Sequence, residues 1–147
     1  MQWALIGVAF AAGMLLPLQN GLLTRVGKDL GQPVLAALAA TALGTVAVLL
    51  YCVATREAVP SGAAVARVPV WAWVGGVLGA VYLLAAILMT PKLGVAALTA
   101  AVIAGQMVAS AALDHFGAFG LDEKPINWSR VAGAALVIGG AILAQRS

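Results

Sequence analysis

The residues with chemistry to offer sit inside apolar stretches. The charge-free run from Leu93 to Leu113 carries Thr99, Gln106 and Ser110, and Asp114 follows it directly. At about 100° per residue these four fall within about 80° of one another, a polar ladder up one face of an otherwise apolar helix. Gln106, beside Gly105 in the middle of the run, both donates and accepts hydrogen bonds, which suits a solute cavity. Asp114 and His115 are the one titratable pair near such a run, and so the one candidate for proton coupling. A first run, Met1 to Thr24, sets Gly13, Pro17, Asn20 and Thr24 near one helical face with Gln19 adjacent. Pro17 removes a backbone hydrogen bond there, leaving a carbonyl free to face water or a solute. In a third run Tyr82 shares a side with Gly75 and Gly79, where it serves as a cavity-wall aromatic or as a hydrogen-bonded core tyrosine. The bland alternative for Thr99 and Ser110 is interhelical glue, worth about 0.6 kcal/mol each. For Asp114 and His115 it is a solvated helix end. Nothing forms a nucleophile triad, a metal-ligand cluster or a phosphate-binding loop, so no enzyme activity, metal or cofactor is expected.

The elements that must position these residues follow from composition. Of 147 residues, 63% are hydrophobic and only 9% charged, with a mean hydropathy of +1.05. So few charges cannot coat a soluble body, and abundant Gly and Ala suit closely packed membrane helices. Eight basic residues scattered singly form no nucleic-acid stripe. Cys52, the single cysteine, permits no intrachain disulfide and reads as a small apolar filler.

Charge-free windows run from Met1 to Thr24, Leu30 to Thr55, Val68 to Pro91, Leu93 to Leu113 and Val131 to Gln145. Crossing about 30 Å of hydrocarbon needs about 20 helical residues, so the first four qualify. The fifth qualifies if it starts near Trp128 and lets Arg130 and Arg146 snorkel outward. The expected fold is an all-α integral membrane domain of five transmembrane helices, about 3–24, 33–55, 69–90, 93–114 and 128–145. Breaks are expected at Gly27 to Pro33, Arg56 to Pro69 and Thr90-Pro91-Lys92 with Gly94, and a longer loop over Asp114 to Ser129. Gly75 and Gly79, and Gly133, Gly139 and Gly140 in the last helix, read as packing or dimer faces.

Five spans put the termini on opposite sides. Arg56, Arg67, Lys124 and Arg130 then share the N-terminal side, and Arg25, Lys28, Lys92 and Arg146 the other. Balanced Lys and Arg give no instruction to insert one way round, so either the α-amino group, span hydrophobicity or a partner sets the orientation, or copies insert in both orientations and pair antiparallel. The aromatic residues lean to the N-terminal side, from Trp3, Tyr51, Trp71 and Trp73 to Phe116, Phe119 and Trp128, and an antiparallel pair would give each membrane face one belt.

Gln19-Asn20, Gly31-Gln32-Pro33, Trp73-Val74-Gly75-Gly76 with Gly79 and Tyr82, and Pro91-Lys92-Leu93-Gly94 resemble successive blocks of the YdcZ-like bacterial membrane family. The most specific block is Gly105-Gln106, Ser110 and Asp114-His115-Phe116-Gly117, followed by Arg130 and Gly133. The family is placed in the drug/metabolite transporter superfamily, whose larger members have two five-helix halves in inverted orientation. The resemblance therefore implies an inner-membrane protein that is one half of a ten-helix inverted-repeat transporter, pairing with itself or with a homologous five-span subunit. Ala39-Ala40-Thr41 departs from the pattern, and leaves the second helix's share of the cavity wall open.

The expectation is a transporter of small metabolites or amphiphilic compounds, with a midplane cavity lined by Gln106, Ser110 and Thr99, by Asn20 and Gln19, and by Tyr82. Its expected partners are a small-molecule substrate, membrane lipid and an antiparallel second subunit, and not nucleic acid. The competing classes are a non-transporting membrane scaffold and a lipid-handling protein. A C-terminal cysteine added in a Cys52→Ala background tests orientation: roughly half of it should react with an impermeant maleimide in intact cells if both orientations are inserted.

Overall fold

In the computed structural model, described for residues 2–120 and 122–145, the described secondary structure is all helical, with irregular links at 57–61 and 122–127. Six α-helices follow one another: α1 (Gln2–Asp29), α2 (Pro33–Thr55), α3 (Gly62–Ala66), α4 (Val74–Leu93), α5 (Val95–His115) and α6 (Trp128–Gln145), with 3-10 turns at Val70–Trp73 and Ala118–Gly120. Four stretches are long and apolar enough to cross a membrane: Trp3–Asp29, Pro33–Thr55, Val70–Leu93 and Val95–His115. The apolar part of α6, Val131–Leu143, is shorter. Arg146 and the Arg130 side chain, expected to snorkel from its ends, lie outside what is described.

Boundaries depart from expectation where charge was taken as a stop. α1 runs five residues past Thr24, because a helix does not end where the hydrocarbon does. Arg25 donates from Nε to the Asp29 carboxylate at 2.8 Å, one turn on, and both side chains are exposed. The stop is Gly31, whose φ of +66° suits a residue without Cβ and whose amide donates to the Lys28 carbonyl. Gln32 is then extended, as the residue before proline must be, and Pro33 opens α2 at a position that needs no amide. α2 closes in a Schellman turn with Arg56 in the left-handed region, the Glu57 amide reaching the Cys52 carbonyl at 2.9 Å.

Of the break expected at Thr90-Pro91-Lys92 with Gly94, only the Gly94 part forms. Pro91 lies inside α4, two residues before its end, where its missing amide forgoes one bond, to the Ile87 carbonyl in the last turn. Gly94, with φ +80°, is the actual break, and α5 begins at the next residue. Within the expected loop from Arg56 to Pro69, the Ser61 side chain accepts from the Ala64 amide at 3.2 Å and caps α3.

Packing divides the chain into two units, Met1–Thr90 and Pro91–Ser147. In the first, α1 lies along α2 and the tightest point is the buried Gly27. A Cβ built there would touch the Pro33 Cα at 3.4 Å, the Ala36 Cβ at 3.6 Å and the Ile87 Cγ2 at 3.6 Å, so three helices converge on a residue with no side chain. Ala36 and Ile87 are almost fully buried. In the second unit α5 packs along α6.

The expected packing glycines behave differently. A Cβ at Gly75, Gly79, Gly133, Gly139 or Gly140 would meet no described atom within 4 Å. Whatever these faces pack against is not supplied by the described part of this chain. Gly27→Ala should be tolerated, whereas Gly27→Leu should cost about 1–3 kcal/mol by overpacking, read as a lower unfolding midpoint in detergent. Gly79→Ala should leave that midpoint unchanged.

Candidate functional site

In α5 the polar ladder forms as a face, and its members meet different surroundings. Ser110 and Asp114 come together, lining with Met107, Ala111 and Ala134 a cleft of about 170 Å³ between α5 and α6. The Ser110 hydroxyl donates to the Met107 carbonyl at 3.1 Å, one turn back, which leaves its lone pairs toward the cleft. Gln106 is exposed and has no hydrogen-bond partner among the described residues. Thr99 is half-buried, and its hydroxyl oxygen is enclosed with no partner among the described residues.

Asp114 and His115 have a structural task as well. The Lys124 amide donates to the Asp114 backbone carbonyl at 2.7 Å, and the Ile126 amide points at His115 Nδ1 across a long 3.5 Å. Together these draw the loop between α5 and α6 back onto the end of α5. The His115 ring stands edge-on to Phe116, with centroids 4.9 Å apart. His115 and Phe116 also close one end of a second, almost wholly apolar groove of about 490 Å³, running along α5 and α6 past Val108, Ala112, Val131 and Ile138.

In the first unit, neighbouring Gln19 and Asn20 part company. Asn20 is only 3% exposed and its Oδ1 has no partner among the described residues, while its backbone carbonyl accepts from the Thr24 hydroxyl at 2.7 Å. Gln19 is exposed and lines an open groove of about 510 Å³ with Ala40, Thr41, Gly44, Thr45, Val48, Leu49 and Leu83. Tyr82, the residue before Leu83, is half-buried. Thr41 and Thr45 were absent from the expected cavity. Both hydroxyls donate back within α2, to the carbonyls of Ala37 and Thr41, the ordinary arrangement of a helical threonine. The signal that could have found them is the spacing Thr41, Gly44, Thr45, Val48, one helical face with two hydroxyl groups in an otherwise apolar span.

A family model described as "Putative inner membrane exporter, YdcZ" matches residues 4–143. No curated protein and no solved structure matches the chain. If the Asn20 Oδ1 is as unpartnered in the isolated subunit as it is here, Asn20→Leu should stabilise that subunit in detergent by about 1–3 kcal/mol, the desolvation penalty removed. A loss of stability instead would mean that the amide is held by a hydrogen bond.

Proposed function

The chain belongs to the YdcZ family and is a multi-pass inner-membrane protein, and from that premise we propose that it is one half of an exporter of small metabolites. Two oppositely oriented subunits, either two copies or one copy with a homologous five-span chain, would make a ten-helix inverted repeat with a substrate cavity at the bilayer midplane. Rocking of one half against the other would expose the cavity alternately to the two sides. Gln106, Ser110 and Thr99 of α5 would line it, with Gln19 and Asn20 of α1 and Tyr82 of α4. Amide and hydroxyl groups without carboxylates suit a neutral, zwitterionic or amphiphilic solute better than a bare cation.

The observation that carries this reading is Gln106. A carboxamide exposed midway along a candidate membrane span, with no partner among the described residues, is costly against lipid and inexpensive against water or a polar solute. The exposed glycine faces of α4 and α6 supply contact surface for a second subunit. Asp114, at the end of the ladder and beside Ser110, is the group placed to couple export to a proton gradient.

Everted membrane vesicles offered a panel of labelled neutral and zwitterionic metabolites should accumulate at least one of them in a manner dependent on this protein. Gln106→Leu should reduce that flux about tenfold, the loss of roughly one hydrogen-bonded contact of about 1.4 kcal/mol. Undiminished flux would remove Gln106 from the cavity. Asp114→Asn should abolish only the component driven by a pH gradient, and survival of that component would remove proton coupling through this residue.

A further inference from the structure

The groove in the first unit has a chemical character of its own. It lies near the middle of three apolar spans: Gln19 in Trp3–Asp29, Thr41 to Leu49 in Pro33–Thr55 and Leu83 in Val70–Leu93. At the Gly27 end these helices touch, where Gly27 meets Pro33, Ala36 and Ile87. From Gly27 to Gln19 is about 12 Å along α1, at about 1.5 Å per residue, so the groove opens two turns beyond the pinch. Its polar inventory is lopsided. The protons of Thr41 and Thr45 are committed to Ala37 and Thr41 carbonyls, so both hydroxyl oxygens present only lone pairs. Gln19, exposed and without a partner among the described residues, adds one carbonyl oxygen and one amino group. Three accepting oxygens thus face one donor nitrogen, and no charged residue lines the groove. Leu83, Leu49, Val48 and Ala40 complete apolar walls.

We propose, on the transport reading above, that the Gln19–Thr41–Thr45 groove is a water-filled subsite for an uncharged solute that carries several O–H or N–H donors on a small apolar frame. Acyl chains offer these acceptors nothing, and exposing Gln19 to lipid is costly. The groove, about 510 Å³, is of the size of small-molecule pockets. The absence of a carboxylate from the lining disfavours a compact cation, whose lost hydration the groove would not replace.

Cysteine accessibility tests the subsite independently of transport. Thr45→Cys and Leu43→Cys are made in the full-length Cys52→Ala protein and treated in membrane vesicles with aminoethyl methanethiosulfonate, which reacts with thiolate and so needs water at the site. Leu43 lies at the same depth of α2, about 160° around the helix from Thr45, and is 70% exposed. The rate at Thr45→Cys should exceed that at Leu43→Cys by about tenfold or more. Millimolar xylitol, rich in donors and uncharged, should slow the Thr45→Cys reaction, and glycine betaine, which has none, should not. Equal rates at the two positions would overturn the subsite, showing the groove to be covered by lipid or another helix. Equal protection by the two solutes, or protection by neither, would overturn the donor preference. A fast, xylitol-protected reaction in vesicles that show no flux would support the subsite and contradict the transport reading instead.

Discussion

The bilayer core contains no water to satisfy a polar group, and the rest of this structure depends on that constraint. It separates the polar residues of the spans into two sets. Thr24, Thr41, Thr45, Thr55, Thr90 and Ser110 each donate to a carbonyl three or four residues back in their own helix and can face any surroundings at modest cost. Gln19, Gln106, the Oδ1 of Asn20 and the Oγ1 of Thr99 have no such internal answer. Groups of the second kind are expensive in hydrocarbon unless a solute, water or another subunit meets them, whereas those of the first kind can line a site with their lone pairs at little cost.

Surface follows the same division. Only 6% of the span window of α1, and of α2, is buried within the chain. Helices of the first unit close tightly at Gly27, where the side chain is absent altogether. Elsewhere glycines on α4 and α6 face outward with nothing of the described chain against them, and large apolar side chains such as Trp3, Val70 and Leu136 stand well exposed. A bare surface of this kind is ordinary where lipid covers it. Combined with unanswered amides, it is also the surface that the proposed pairing of two subunits would use.

Much of the fold was legible because charge marks where hydrocarbon ends. The windows between charged residues came within three residues of the ends of α2, α5 and α6. They misplaced the end of α1, since the Arg25–Asp29 pair belongs to a helix that continues into the headgroups, and they turned Pro91 into a break although it falls in the last turn of α4. α3 was missed because Pro60, Ser61 and Gly62 look like loop residues until the Ser61 cap is seen. The α5 ladder was readable from spacing alone. The groove on α2 was not, for a threonine in an apolar helix is usually satisfied by its own backbone, and only the approach of Gln19 and Leu83 from other helices makes a site of Thr41 and Thr45.

The central claim is that the working unit contains two five-helix subunits. The direct measurement is native mass spectrometry of the protein extracted with its surrounding lipid in nanodiscs, which counts subunits without assuming a substrate. The account predicts complexes of two chains, either two copies or one copy with a homologous chain of similar mass. Particles holding a single copy and no second protein, extracted from membranes in which the protein is active, would contradict it.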